Sequence, residues 1–157
     1  MVKNSENLGF FHHGIAVDNL QKYLLTLTQL FPNSTFTQRS IDHSYMGELV
    51  ESQNIKLQVA MLEFFPGNYI ELLQWGNLNL KNMARPEITS TGTSHLCIYV
   101  EDAEDFHKFA RKVNGVTLIN SKVTEVPVGP NKGAKVFFLM IHELLFIEIF
   151  QKPIKIL

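Results

Sequence analysis

A chain of 157 residues, 45% hydrophobic and 18% charged, is long enough for one domain with a core that needs no disulfide staples. A formal net charge of −1 and a pI near 6.6 leave no basic field for nucleic acid or an anionic membrane surface. Only Arg39, Arg85 and Arg111 among the 14 basic residues are arginines, so a site built on several bidentate anion clamps is disfavoured.

The N-terminal stretch MVKNSENLGFF has no apolar signal core, and no segment reaches the roughly 20 apolar residues of a membrane span. Cys97 is the only cysteine, which rules out an intrachain disulfide and points to a reducing, cytoplasmic setting. In chain order, residues 11–17 alternate as a strand. Asp18 or Asn19 then caps a helix that carries Leu20, Tyr23, Leu24, Leu27, Leu30 and Phe31 on one face. Strands are expected near 34–39, 45–50, 55–63 and 68–74, closing a first module over about 8–75. The polar stretch 76–92, with Pro86 and Gly92, reads as a linker. A second module, about 93–152, opens with a strand over 94–100. Glu101 and Asp102 cap its helix, Phe106, Phe109, Ala110 and Val113 line the apolar face, and Gly115 ends it. Strands near 116–119, 134–140 and 145–151 complete it.

The two modules repeat one another. HHGIAVDNL at 12–20 matches HLCIYVEDA at 95–103, and YIELLQ at 69–74 matches FIEIFQ at 146–151, in the same order. The expected architecture is α+β, a βαβββ module used twice within a single domain.

Strand alternation places His12 with Gly14 and Ala16, and His95 with Cys97 and Tyr99. It places Glu71 with Tyr69 and Leu73, and Glu148 with Phe146 and Phe150. Two carboxylates thus interrupt apolar strand faces, where an uncompensated charge is expensive. Two neutral imidazoles and two carboxylates suit a divalent cation and leave open positions for water or substrate oxygens. The candidate ligands are His12, Glu71, His95 and Glu148. Taken singly, each is more often a core or surface residue than a ligand; taken as a pair repeated in order, they point to a metal.

The pattern HxGIAVxxL, IELLQ, SHLxIxV and IEIFQ, spread over nearly the whole chain, resembles the vicinal oxygen chelate superfamily, which includes glyoxalase I and methylmalonyl-CoA epimerase. The resemblance implies paired βαβββ modules forming a cupped mixed sheet around a metal held by those four residues. It favours His12 over His13, since His12 precedes Val17 by the same five residues that separate His95 from Val100. Residues 53–74 resemble the epimerase, and GPNKG at 129–133 resembles the glycine-and-lysine loop of glyoxalase I. Two features of the family are missing: the Asp-Pro-Asp-Gly turn before the last glutamate, replaced here by IHELL, and the Phe-Tyr pair of the first helix.

What the resemblance implies for chemistry is a metal-dependent isomerase or epimerase. It would remove a proton beside a carbonyl of a small substrate bearing adjacent oxygens, with the metal (Zn, Ni, Co, Mn or Fe) stabilising the enolate. Glu148 or Glu71 would accept the proton, and an epimerase needs a second group, for which Glu48 and Glu51 are candidates beside their reading as solvated carboxylates. Tyr99, Cys97, Phe146, Phe150 and Lys132 are candidate substrate contacts; the plainer reading makes the aromatics core and Lys132 a solvated loop residue. The alternatives are a glyoxalase I-type lyase, an extradiol-type dioxygenase and a non-catalytic binding or resistance protein. The scarcity of arginine counts against a glutathione-clamping lyase. Module pairing within one chain or across a homodimer is left open.

Overall fold

The computed structural model describes residues 9–42, 44–51, 55–76 and 86–153. The chain divides into two compact units, Met1–Leu80 and Lys81–Leu157. Much of the expected linker, 77–85, lies outside the described residues.

Unit 1 runs β1 (His12–Ala16), α1 (Leu20–Leu30), β2 (Thr35–Ile41), α2 (Ser44–Leu49), β3 (Lys56–Phe65) and β4 (Asn68–Gly76). Its sheet has the order β1-β4-β3-β2, with β1 parallel to β4 and the other pairs antiparallel. α1 forms where the apolar residues recur every three to four positions. It buries Leu20, Tyr23, Leu24, Leu27 and Leu30, each worth about 1.5–3 kcal/mol when fully buried. Asn19 caps it by accepting from the Lys22 amide at 3.0 Å. The other buried residues of the unit include Ala60, Leu62, Ile70 and Leu72.

Unit 2 runs β5 (His95–Tyr99), α3 (Ala103–Ala110), β6 (Val116–Leu118), β7 (Thr124–Glu125), β8 (Lys135–Ile141) and β9 (Leu145–Gln151). Its sheet has the order β5-β9-β8-β6, with β7 pairing β8 and β5 parallel to β9. Asp102 is the N-cap of α3 and accepts from the Asp105 amide at 3.0 Å. The expected α+β repeat is present: each unit is a strand, a helix and then antiparallel strands, the last lying parallel to the first. Among the described residues no helix is long and apolar enough to cross a membrane.

Two expectations are corrected. Residues 45–50 are not a strand: 45–49 lie on α2 and Val50 is in the turn after it. β2 ends at Ile41, which pairs directly with Leu57 of β3, so the sheet offers no slot for a strand between them. The buried face of α3 is Ala103, His107 and Ala110, not Phe109, which is 43% exposed. The small alanines admit close approach to the sheet, and His107 fits because its Nε2 lies 3.0 Å from the Asn120 carbonyl.

Candidate metal centre

Strand register assembles a half-site in each unit. In unit 1, β1 lies parallel to β4 with His12 opposite Tyr69 and Gly14 opposite Glu71. The two residues of each such pair share a face, so the imidazole and carboxylate converge one step apart. His12 Nε2 lies 3.3 Å from Glu71 Oε2, and the side chains are 29% and 18% exposed. Unit 2 repeats this. His95 is opposite Phe146 and Cys97 opposite Glu148, and His95 Nε2 lies 3.1 Å from Glu148 Oε2. In both pairs the same atoms meet, and on β1 it is His12 that faces the glutamate.

Aromatic rings wall both imidazoles. Phe11 lies edge-on to His12 with centroids 4.9 Å apart, and Phe138 lies edge-on to His95 at 5.3 Å. Phe138 is the cross-strand partner of Glu148, a placement that only the β8–β9 register reveals. His12 Nδ1 is buried with no hydrogen-bond partner among the described residues. Its free ring edge contrasts with the orienting partner that ligand histidines commonly have.

The half-sites differ at one step. Gly14 has no side chain, and a Cβ there would stand 3.7 Å from Glu71 Oε2, an ordinary contact. Its counterpart Cys97 carries a thiol hydrogen-bonded to Glu148. Partial burial, then the charge and the hydrogen bond of Glu148, push the thiol up to about 11, so at neutral pH it is a protonated donor rather than a nucleophile. Further along the same strand faces, Tyr99 meets the Phe150 ring edge-on at 5.7 Å, and Lys152 Nζ sits 4.4 Å over the Tyr99 ring. Phe146 is buried and, with Met140 and Ile119, lines a cleft of about 450 Å³ in unit 2.

Glu48 is exposed on α2, and Lys132 lies in an exposed turn between Gly129 and Gly133. Among the described residues neither is hydrogen-bonded or ion-paired to a half-site. The structure brings the four candidate ligands together as two pairs; among the described residues no group of three or more His, Cys, Asp or Glu is gathered to hold a metal ion. The donor chemistry of each pair, imidazole nitrogen beside carboxylate oxygen with no lysine or arginine bonded to either among the described residues, fits a divalent cation.

Each half-site rests on a glutamine that sequence reasoning passed over, although it is repeated in IELLQ and IEIFQ. Gln74, three residues after Glu71, accepts from the Leu20 amide at 2.7 Å; Gln151, three after Glu148, accepts from the Ala103 amide at 2.9 Å. The strand carrying the carboxylate is thereby tied to the first turn of the helix that follows the histidine strand, satisfying an amide left over at the helix start.

No family model and no curated protein matches the chain. Solved structures do. A glyoxalase family protein from Bacillus cereus superposes with a TM-score of 0.77 at 18% identity, covering 98% of this chain and 99% of that one. Glyoxalase I from Zea mays superposes with a TM-score of 0.64 at 16% identity over 91% of this chain, which spans 44% of the maize protein. The fosfomycin resistance protein FosX from Listeria monocytogenes, solved with Mn(II) and sulfate, gives 0.54 at 12% identity with 94% of each chain covered. The chain has the glyoxalase fold.

Proposed function

We propose that the protein is a metal-dependent isomerase or epimerase that removes a proton next to a carbonyl, with His12 and Glu71, and His95 and Glu148, as its metal ligands. The observation that carries this reading is the repeated meeting of imidazole Nε2 and carboxylate Oε2, in the same register, in two sheets of the same build. A metal-binding neighbour of the same fold, FosX with Mn(II), supports it.

When bound, a divalent ion (Zn, Ni, Co, Mn or Fe) supplies Lewis acidity for the charge that develops on a substrate with adjacent oxygens. The protein's own groups do the rest. Glu71 or Glu148 accepts the α-proton. The Cys97 thiol holds Glu148 in place through its hydrogen bond. Tyr99 and Phe150 offer a ring edge and face beside the site, and the cleft at Phe146 receives an apolar portion of the substrate.

Elemental analysis and solvent-deuterium exchange test the reading. Binding of a divalent ion is expected, with metal-dependent deuterium uptake α to the carbonyl of a 2-oxo acid, a malonyl-type thioester or a 2-hydroxy ketone. Absence of metal binding at neutral pH overturns it, and oxygen uptake with a catechol moves the protein to the dioxygenase class.

A further inference from the structure

We propose that unit 1 carries an anion subsite at Arg39 and Thr37, which recognises a carboxylate at the far end of the substrate. The inference rests on the metal reading only for the reacting end of that substrate.

The cleft behind the proposal has a volume of about 250 Å³ and is lined by Phe11, Thr37, Gln38, Arg39, Val59 and Met61. It adjoins the half-site through two residues. Met61 is the cross-strand partner of Glu71, and Thr37 is in turn the partner of Met61, so Glu71, Met61 and Thr37 form one row across the face. Phe11 is at once a wall of the cleft and the ring packed on His12. Two strand spacings separate Thr37 from Glu71, roughly 10 Å.

The chemistry of the lining points to an anion. Arg39 shares the face of Val59, one pair along from the Thr37 row. Among the described strand residues on this face of unit 1 it is the only lysine or arginine, and it has no carboxylate or hydrogen-bond acceptor among the described residues. Two polar side chains of neighbouring strand positions are committed elsewhere. The Gln38 carbonyl oxygen accepts from Gln21 at 2.9 Å, and Glu63 accepts from the Gly67 amide at 2.8 Å and from the Tyr69 hydroxyl. Arg39 and Thr37 are exposed on β2, and they line the cleft with buried Val59 and half-buried Met61; a guanidinium open to solvent at the rim, with a threonine hydroxyl on the adjacent row, is suited to a bidentate carboxylate. The apolar floor between Glu71 and Arg39 suits a methylene chain. The substrate class is therefore a 2-oxo acid, or a close relative with adjacent oxygens, ending in a second carboxylate.

Calorimetric titration of the zinc-loaded and the metal-free protein tests this, using straight-chain 2-oxo acids in two matched series, one ending in methyl and one in carboxylate. At the length that spans roughly 10 Å, the carboxylate series is expected to bind about tenfold tighter or more. Arg39→Gln should erase the preference and Arg39→Lys should keep part of it, with and without zinc. Zinc-dependent binding of both series with no preference, or a preference that survives Arg39→Gln, overturns the subsite and leaves the metal reading standing. A preference that depends on Arg39 but not on zinc supports the subsite while removing the metal reading. Failure of every member to bind overturns both. If Arg39→Gln changes nothing in binding but promotes self-association in sedimentation, Arg39 is a charge guarding the edge strand β2, and the subsite is again overturned.

Discussion

The two units are built on one plan and differ where chemistry would be decided. Both start the helix eight residues after the histidine, and both tie its first amide to the glutamine three residues beyond the glutamate. Against this shared frame, unit 1 has Gly14 beside its carboxylate and unit 2 has Cys97. The glycine leaves Glu71 a vacant step into which the carboxylate can turn. The thiol occupies a lone pair of Glu148 and restrains its rotamer. A repeat that keeps its His–Glu pairs and varies the residue between them gives Glu148 a thiol partner that Glu71 does not have.

The largest expected effect follows from that difference. If the carboxylate without the thiol partner takes the proton, Glu71→Gln should lower deuterium exchange about 10²–10⁴-fold, because an amide retains a weak oxygen ligand but accepts no proton. Glu148→Gln should fall chiefly on metal affinity. Exchange kinetics at saturating metal, beside metal titration of each variant, separate the two. A larger loss of exchange for Glu148→Gln would reverse the assignment and make the thiol an aid to proton transfer.

The next effect concerns alkaline stability. In unit 1 Tyr23 is buried, and burial, with the Asp18 charge adding to it, pushes its phenol well above the usual range. At the matching place in α3 stands Phe106. The folded chain therefore holds the Tyr23 proton after the unfolded chain has released it. The stabilisation is complete below about pH 10 and is lost as pH climbs toward the folded value, about 1.4 kcal/mol for each full unit. Denaturant midpoints measured from pH 9 upward should fall steeply in the natural protein and more gently in Tyr23→Phe. Cys97, raised to about 11, adds an earlier and weaker loss from unit 2. An unchanged slope in Tyr23→Phe would show that the phenol is not held protonated.

A smaller effect tests the glutamine ties. Removing either acceptor leaves a helix-start amide without its partner, at a net cost of about 0.5–1.5 kcal/mol. Gln74→Ala should cost more than Gln151→Ala. α1 has no acidic residue in its first turn, whereas α3 has Glu104 and Asp105 there to favour the helix dipole. Equal losses in thermal unfolding would mean that the two ties contribute alike and the dipole does not discriminate.

How much of this was legible beforehand depended on whether the signal was local. The histidine strands, the α1 face and the glutamate strands were readable because each is a periodic pattern, and the repeat doubled every one of them. The pairing of His12 with Glu71 and of His95 with Glu148 was readable as residue type, but their one-step offset depends on parallel register between strands far apart in sequence. α2 was misread because Tyr45, Gly47 and Leu49 alternate as a strand would, and only the direct Ile41–Leu57 pairing removes the place for one. On α3 the expected face holds at Ala110 and half-buried Phe106, which packs on Phe137, but side-chain size misleads at Phe109, which is exposed, while Ala103 and His107 are buried. The Arg39 cleft was invisible because β2, β3 and the residue before β1 meet only in the fold. Arginine scarcity, read as evidence against a clamp, still leaves room for one.

The smallest effect lies in the hairpins that lead into the glutamate strands. Unit 1 turns through Pro66 and Gly67, with the left-handed backbone at the glycine, where φ is 79°. Unit 2 turns through His142 and Glu143, both left-handed at φ 48° and 63°, a conformation that non-glycine residues occupy at a cost. The IHELL stretch that stands in for the missing Asp-Pro-Asp-Gly turn is therefore held by its surroundings. The His142 amide donates to the Gly115 carbonyl at 2.9 Å, and the imidazole packs so closely on Gly115 that a Cβ there would collide with the ring. Glu143→Gly relieves the backbone cost at one position. It should raise stability by about 0.5 kcal/mol, after the larger entropy of the unfolded glycine chain and the loss of Glu143's own contacts are counted. Gly67→Ala should move the other way by about 1 kcal/mol, since nothing crowds a Cβ there and only the positive φ opposes it. Thermal melts of the two variants decide the matter. A fall in stability for Glu143→Gly would show that the glutamate's contacts outweigh the strain it bears, and that the unit 2 turn is set by side chains where the unit 1 turn is set by backbone.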